Sequence, residues 1–237
     1  KLGVTGAALA TVSSQVAGAV VYAAVILKPE YRKAYRTLSG WRPEVGLVVR
    51  LVRFGMPTGL QYSLEVGAFA VFMVIVGRIG TLELAASGIA FNLNMSVFMP
   101  MVGLAIAVSA LVGRYLGANR PEVAERAVGS ALTMSFAYMG ACGALYVLGA
   151  PLLLAPYGAG ADPATWPRIA EVATVLLRFV AIYSIFDMMN LIHAAGLRGA
   201  GDTVYPMVLT FLLAWIAMLV PAWVGCVVVG AGAYFAW

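Results

Sequence analysis

Charge is scarce in this chain. Charged residues make up 11% of its 237 positions, where soluble domains carry about a quarter, so a soluble globular domain is excluded. Histidine occurs once, at His193, and cysteine twice, at Cys142 and Cys226. That leaves no H-E-x-x-H pair and no cysteine-based metal or redox motif. A G-x-S-x-G elbow is also missing, so the common hydrolytic enzyme classes have no footing. Strand-like alternation in segments of about ten residues is absent, which argues against a transmembrane barrel. The glycine-rich "GLRGAG" from Gly196 follows a helical run rather than a strand, and reads as a tight turn rather than a nucleotide loop.

What is abundant is apolar sequence, 62% of the chain. Runs long enough to cross a bilayer, about 20 residues each, cover Leu2–Leu27, Leu47–Gly77, Leu84–Gly113, Ala127–Pro156, Arg178–Leu197 and Thr203–Val229. We label them segments A to F. Only helices or closed barrels satisfy backbone polar groups in lipid, so the expected fold is all-α, a polytopic transmembrane bundle with six full spans. Segment A has the polar centre "TVSSQ", which interrupts any signal-peptide core, and it reads as a genuine span.

The net charge of +5 could suit nucleic acid, but its distribution points to membrane topology. The A/B loop and its flanks hold Lys28, Arg32, Lys33, Arg36, Arg42, Arg50 and Arg53; C/D is flanked by Arg114, Arg120 and Arg126, and E/F holds Arg198. B/C and D/E hold Arg78 and Arg168. By the positive-inside rule the A/B, C/D and E/F loops are expected to be cytoplasmic. No nucleic-acid partner is expected; the partner is the bilayer of the plasma (inner) membrane, crossed several times.

Two carboxylates interrupt the apolar runs. Glu65 is the twelfth of the 24 residues between Arg53 and Arg78, and Asp187 stands nine after Arg178 and eleven before Arg198. If the arginines mark the interfaces, both acids lie near the midplane, where a charge costs several kcal/mol and usually faces a wet cavity, a partner or an ion path. Thr58, Gln61 and Glu65 share one helix face, as do Tyr183, Asp187 and Asn190, with His193 at its edge. Segment A adds Thr11, Ser14 and Gln15, and segment C adds Asn92 and Ser96. Uncharged members of such stripes also serve as glue between helices. Two carboxylates at one depth could exchange a proton, or hold a small cation such as Na⁺ between their oxygens. Either event changes the local charge by one unit, which can bias two helix arrangements or expel a competing cationic solute. Pro57, Pro100, Pro206 and Pro221 lie in or near spans, as static kinks or as hinges.

The stretches "FGMPTGLQYSLEVGAFAVF", "LELAASGIAFNLN", "GLAIAVSALVGRYLGANRPEVAERA" and "GLRGAGDT" together resemble the multidrug and toxic compound extrusion (MATE) transporters along nearly the whole chain. The resemblance implies twelve helices in two six-helix lobes. Segment A would be the sixth helix, B to F the seventh to eleventh, and "GAGAYFAW" the start of the twelfth, a seventh span here. Residues 1–27 would then close the first lobe, 28–46 form the cytoplasmic inter-lobe loop and 47–237 the second lobe. The resemblance further implies a cation-coupling site at Glu65 and Asp187 with Tyr183 as aromatic neighbour, and Thr11 near a first-lobe ion site. Gln61, Asn92 and Asn190 are candidate cavity-lining residues.

The expected function is a cation-coupled antiporter, driven by H⁺ or Na⁺ and without a cofactor, exporting amphiphilic cationic organic compounds. The full-length protein is expected to be monomeric. Eleven methionines suit an adaptable cavity, and equally ordinary packing. A lipid or lipid-linked oligosaccharide flippase of the wider superfamily is the alternative, and an integral-membrane enzyme a more distant one.

Overall fold

The computed structural model describes residues 3–31 and 44–225. The second part of the A/B loop, Cys226 and the closing run at "GAGAYFAW" lie outside the described residues. The elements, relabelled in chain order, are α1 (Gly3–Ile26), α2 (Val45–Ile79), α3 (Thr81–Gly117), α4 (Pro121–Leu148), α5 (Ala150–Gly158), α6 (Trp166–Gly199), α7 (Val204–Phe211), a π-helical stretch (Leu212–Leu219) and α8 (Val220–Trp223). Among the described residues, six helical segments are long and apolar enough to cross a membrane by length and composition, one for each of A to F. No strand occurs among the described residues. The chain is a polytopic all-α membrane protein.

It divides into two compact units, residues 1–53 and 54–237. In the first, α1 is mostly apolar apart from its centre at Thr11 to Gln15, and its described side chains are almost all exposed. A largely apolar helix with no buried stripe needs lipid or neighbouring helices around it.

In the second unit α6 is the central element, packed against α3 and α4. Three layers fill the space between them. Ala86 and Ala90 of α3, Tyr146 of α4 and Val172, Ala173, Leu176, Leu177, Val180 and Ala181 of α6 form one end with Leu154 of α5. Met101, Met139 and Met188, one from each long helix, form the middle. Ala105, Val108, Val112, Ala124, Ala131, Ile192 and Ala195 form the other end. The alanines let backbones approach closely, which favours helix association in lipid. A separate cluster joins Ala68, Phe72, Ile75 and Val76 of α2 to Trp215 and Leu219 of the π-helical stretch. Phe91 of α3 connects the two bodies by edge-to-face contacts with Phe69 (centroids 4.5 Å apart) and Phe72 (6.1 Å). Large apolar residues such as Ile106, Leu148, Ile182 and Phe186 remain exposed, as a lipid-facing surface requires.

Helix ends differ from the hydropathy reading in two places. Segment D was expected to run to Pro156, but the helix stops at Leu148 and restarts at Ala150. Gly149 sits at the break, where a Cβ would lie 2.8 Å from the Leu145 side chain and 2.9 Å from its carbonyl. Segment E was expected to start at Arg178, yet α6 begins at Trp166. Its first turns carry Arg168 and Glu171, paired at 2.8 Å on an exposed face, so their charge masks a helix that hydropathy alone does not extend. Arg178 is an exposed residue twelve positions inside α6.

The prolines are accommodated in different ways. Pro100 removes a donor from α3, and the Tyr138 hydroxyl of α4 donates to the nearby Val97 carbonyl at 3.0 Å. Between Pro206 and Pro221 the helix widens into the π-helical stretch, a form associated with functional sites.

The "GLRGAGDT" corner sets the geometry of the next section. A Cβ on Gly199 would lie 2.5 Å from the Ser109 carbonyl and 2.9 Å from Val112 Cβ, so this end of α6 lies directly on α3. Gly201 has φ +94°, open to glycine at little cost. Asp202 then caps α7, its Oδ1 accepting from the backbone N–H of Val204 (3.2 Å) and Tyr205 (3.1 Å). Gly199→Ala is expected to cost about 1–3 kcal/mol, since the neighbouring backbone cannot yield. Gly103→Ala, with nothing within 4 Å of the new methyl, is expected to change stability by less than about 1 kcal/mol. Thermal unfolding of both variants in detergent checks the contrast.

Candidate functional site

The polar stripe expected on segment B becomes a hydrogen-bonded cluster. Gln61 and Glu65 are one helical turn apart on α2, and Gln61 Nε2 donates to Glu65 Oε1 at 3.0 Å. The same amide donates to Thr210 Oγ1 of α7, also at 3.0 Å. Its oxygen accepts from Arg198 Nη1 of α6 at 3.3 Å. Gln61 is thus a buried hub, 5% exposed, that ties three helices. Its orientation follows from its partners: a guanidinium can only donate, so the amide oxygen must face Arg198 and the NH₂ group must face Glu65 and Thr210. Beside it, Trp215 Nε1 of the π-helical stretch donates to the Leu64 carbonyl at 3.2 Å. The irregular part of segment F is laid against the turn of α2 that carries Glu65.

Glu65 and Asp187 lie near enough for the charge of one to be felt at the other. Both carboxylates are exposed. Tyr183 lies one turn before Asp187 on α6, and its hydroxyl accepts from Asn94 Nδ2 of α3 at 3.0 Å. Asn94 in turn accepts from Ser184 Oγ at 3.1 Å. Asn94 and Ser184 are buried, so Tyr183 is held by a satisfied polar tie between α3 and α6.

The other sequence candidates stand apart. Asn92 is exposed and accepts from the Tyr157 hydroxyl of α5 at 3.3 Å. It lines an open cavity of about 430 Å³ with Phe69, Met73, Phe91, Met95 and Met99. Asn190 is exposed on α6, and among the described residues no hydrogen bond joins it to the Gln61 hub. His193 is tied through Nδ1 to the Met189 carbonyl of its own helix at 2.7 Å. Thr58 bonds the Phe54 carbonyl at 3.4 Å rather than the hub. Thr11 is exposed on α1 in the first unit, outside the unit that holds this cluster.

Sequence reasoning missed Arg198, Thr210, Asn94 and Ser184. By sequence, Arg198 reads as a topology signal and "GLRGAG" as a turn. Thr210 is an isolated polar residue in the apolar run "YPMVLTFLLAWIAML", a faint signal of the same kind as Gln61. Asn94 lies on a different face of α3 from the Asn92/Ser96 pair.

Among the described residues no group of three or more His, Cys, Asp or Glu side chains could hold a metal ion. The two carboxylates offer hard oxygen donors, which suit a proton or an alkali cation better than a transition metal.

Comparison with known proteins agrees with this architecture. The MatE family model matches residues 57–224. A probable multidrug resistance protein NorM of Pseudomonas putida is 31% identical over 238 residues, covering 100% of this chain and 51% of that protein. Another, from Mesorhizobium japonicum, is 32% identical over 216 residues, covering 90% of this chain and 46% of its own length. A crystal structure of a MATE protein in the bent conformation superposes with a TM-score of 0.80 at 21% identity, over 100% of this chain and 51% of that one, a likeness of fold. The chain spans about half the length of the curated relatives it matches. Members of the family are transporters, which removes the enzyme reading. The order of the spans, the matched region and the shared fold coincide, and the chain belongs to the MatE family of membrane transporters.

Proposed function

We propose that the complete protein is a cation-coupled multidrug antiporter, and that residues 54–237 belong to its second lobe and carry the coupling site. The observation that supports this best is the presence of two exposed carboxylates, Glu65 and Asp187, near one another within apolar helices. Purely structural gluing does not need ionisable groups at such positions. A proton or Na⁺ taken up there removes one unit of negative charge. The cavity lined by Phe69, Met73, Phe91, Met95 and Met99 supplies flexible apolar and aromatic surface for an amphiphilic cation. Loss of the negative charge weakens the hold on that cation and biases the bundle toward its other arrangement, so that ion entry and solute exit alternate. The names of the relatives, multidrug resistance proteins, fit this reading.

The test uses the full-length protein in inverted membrane vesicles, with uptake of a fluorescent organic cation driven separately by a pH gradient and a Na⁺ gradient. Uptake under at least one gradient is expected. Uptake no greater than in vesicles lacking the protein, under both gradients, contradicts the proposal.

Orientation follows from charge. The α3–α4 turn at Ala118 to Arg120 is proposed to be cytoplasmic in the plasma membrane, with the protein acting as a monomer. A cysteine at the exposed Ala118 is expected to resist an impermeant thiol reagent in intact cells and to react after permeabilisation. Labelling from outside reverses the orientation.

A further inference from the structure

Two polar ties hold α6 in the second unit, and they differ in kind. The tie to α3 uses neutral groups throughout, Asn94, Tyr183 and Ser184. The tie to α2 uses Arg198, half-buried, whose guanidinium meets the amide oxygen of Gln61 while the amide nitrogen meets Glu65. A neutral residue would suffice to join two helices. Here cation, amide and carboxylate are aligned so that each dipole points along the same path, and hydrogen bonds in such a chain polarise one another. Arg198 also interacts electrostatically with Glu65. Glu65 is thus joined to Arg198 of α6 through Gln61, with Asp187 of α6 as the neighbouring carboxylate; α7 contributes the neutral Thr210.

The placement of this charge is built into the local sequence. Arg198 precedes Gly199, which lies directly on α3 at Ser109 and Val112. It sits in the last turn of α6, where the helix dipole favours a cation. Gly201 and Asp202 turn the chain so that α7 returns Thr210 to the same amide.

We propose that Arg198 is a tethered counter-cation of the Glu65–Asp187 site, a positioning residue that acts through Gln61 and sets how tightly the carboxylates hold an exchangeable cation. This rests on the coupling reading above. A fixed positive charge beside the carboxylates competes with the incoming ion, so the site binds it more weakly and releases it more readily than the carboxylates alone would. Fast release is what a transporter needs at each turnover.

The experiment measures the Na⁺ and proton concentrations giving half-maximal response, by intrinsic tryptophan fluorescence and by uptake, for the full-length protein in proteoliposomes. Arg198→Gln keeps a hydrogen-bonding head without the charge, and its half-saturating cation concentration is expected to fall about tenfold, after allowance for the half-exposed position of the guanidinium. Arg198→Lys keeps the charge and is expected to stay within about threefold of wild type. Should Arg198→Gln fold poorly, Arg198→Cys in a background with Cys142 and Cys226 replaced serves instead. A positively charged methanethiosulfonate reagent is expected to restore wild-type half-saturation, and a neutral one of similar size to leave it low. Wild-type half-saturation in Arg198→Gln, or equal effects of the two reagents, overturns the proposal. Glu65→Gln in the same assay separates the two levels: a wild-type cation response there defeats the coupling reading itself, whereas its loss beside an unchanged Arg198→Gln defeats only the role given to Arg198.

Discussion

Replacing Asp187 with asparagine is expected to lower ion-driven uptake by at least about tenfold while leaving the fold intact. The side chain keeps its shape and hydrogen-bonding capacity, but loses the charge that a proton or Na⁺ would titrate. Asp187 is exposed, and among the described residues no hydrogen bond to its carboxylate holds the fold. The neighbouring Tyr183 stays anchored through Asn94. Thermal unfolding in detergent should therefore shift by no more than the equivalent of about 0.5 kcal/mol, as for other substitutions away from packed features. Wild-type uptake under both gradients would show that the carboxylate is a bystander.

Gln61→Leu is expected to behave differently, damaging stability and coupling together. Gln61 is 5% exposed and serves Glu65, Thr210 and Arg198 at once. Leucine fills a similar volume but leaves the half-buried guanidinium and the buried Thr210 hydroxyl without this partner. Losing hydrogen bonds to a charged group and stranding a buried one costs about 2–4 kcal/mol. Glu65 also loses the donor that orients it. The measurement is unfolding temperature together with uptake: a stable Gln61→Leu protein with full activity would mean that the hub holds nothing of importance. The contrast with Asp187→Asn matters more than either value, because one change removes a working charge and the other removes the frame around it.

The features legible in the sequence are those that hydropathy and isolated charge report directly. Six apolar runs became six helices, and Glu65 and Asp187 stood out because little else in their runs is charged. The stripe rule found Gln61 beside Glu65, since three- and four-residue spacing places side chains on one face. It could not tell which stripe members meet another helix. Thr58 and His193 turn back to their own backbone, Asn92 faces a cavity and a tyrosine, and Asn94, unremarked, makes the buried tie to α6. Arg198 was hidden by a different ambiguity. An arginine at a helix end satisfies the positive-inside rule and, with a long side chain, can also reach back along the helix. Composition cannot separate those uses. The early start of α6 was obscured because an exposed ion pair, Arg168 with Glu171, looks polar to a hydropathy window while serving a helix perfectly well.

Whether Glu65 and Asp187 work as one site is tested most directly by equilibrium binding of the coupling cation to the purified full-length protein, in wild type, Glu65→Gln, Asp187→Asn and the double variant. For two carboxylates that share one ion, each single variant is expected to weaken binding at least about tenfold, and the double variant to add little beyond the stronger single effect, because interacting residues are non-additive. Independent losses that add in the double variant, or a single variant that binds as wild type does, would contradict a shared site.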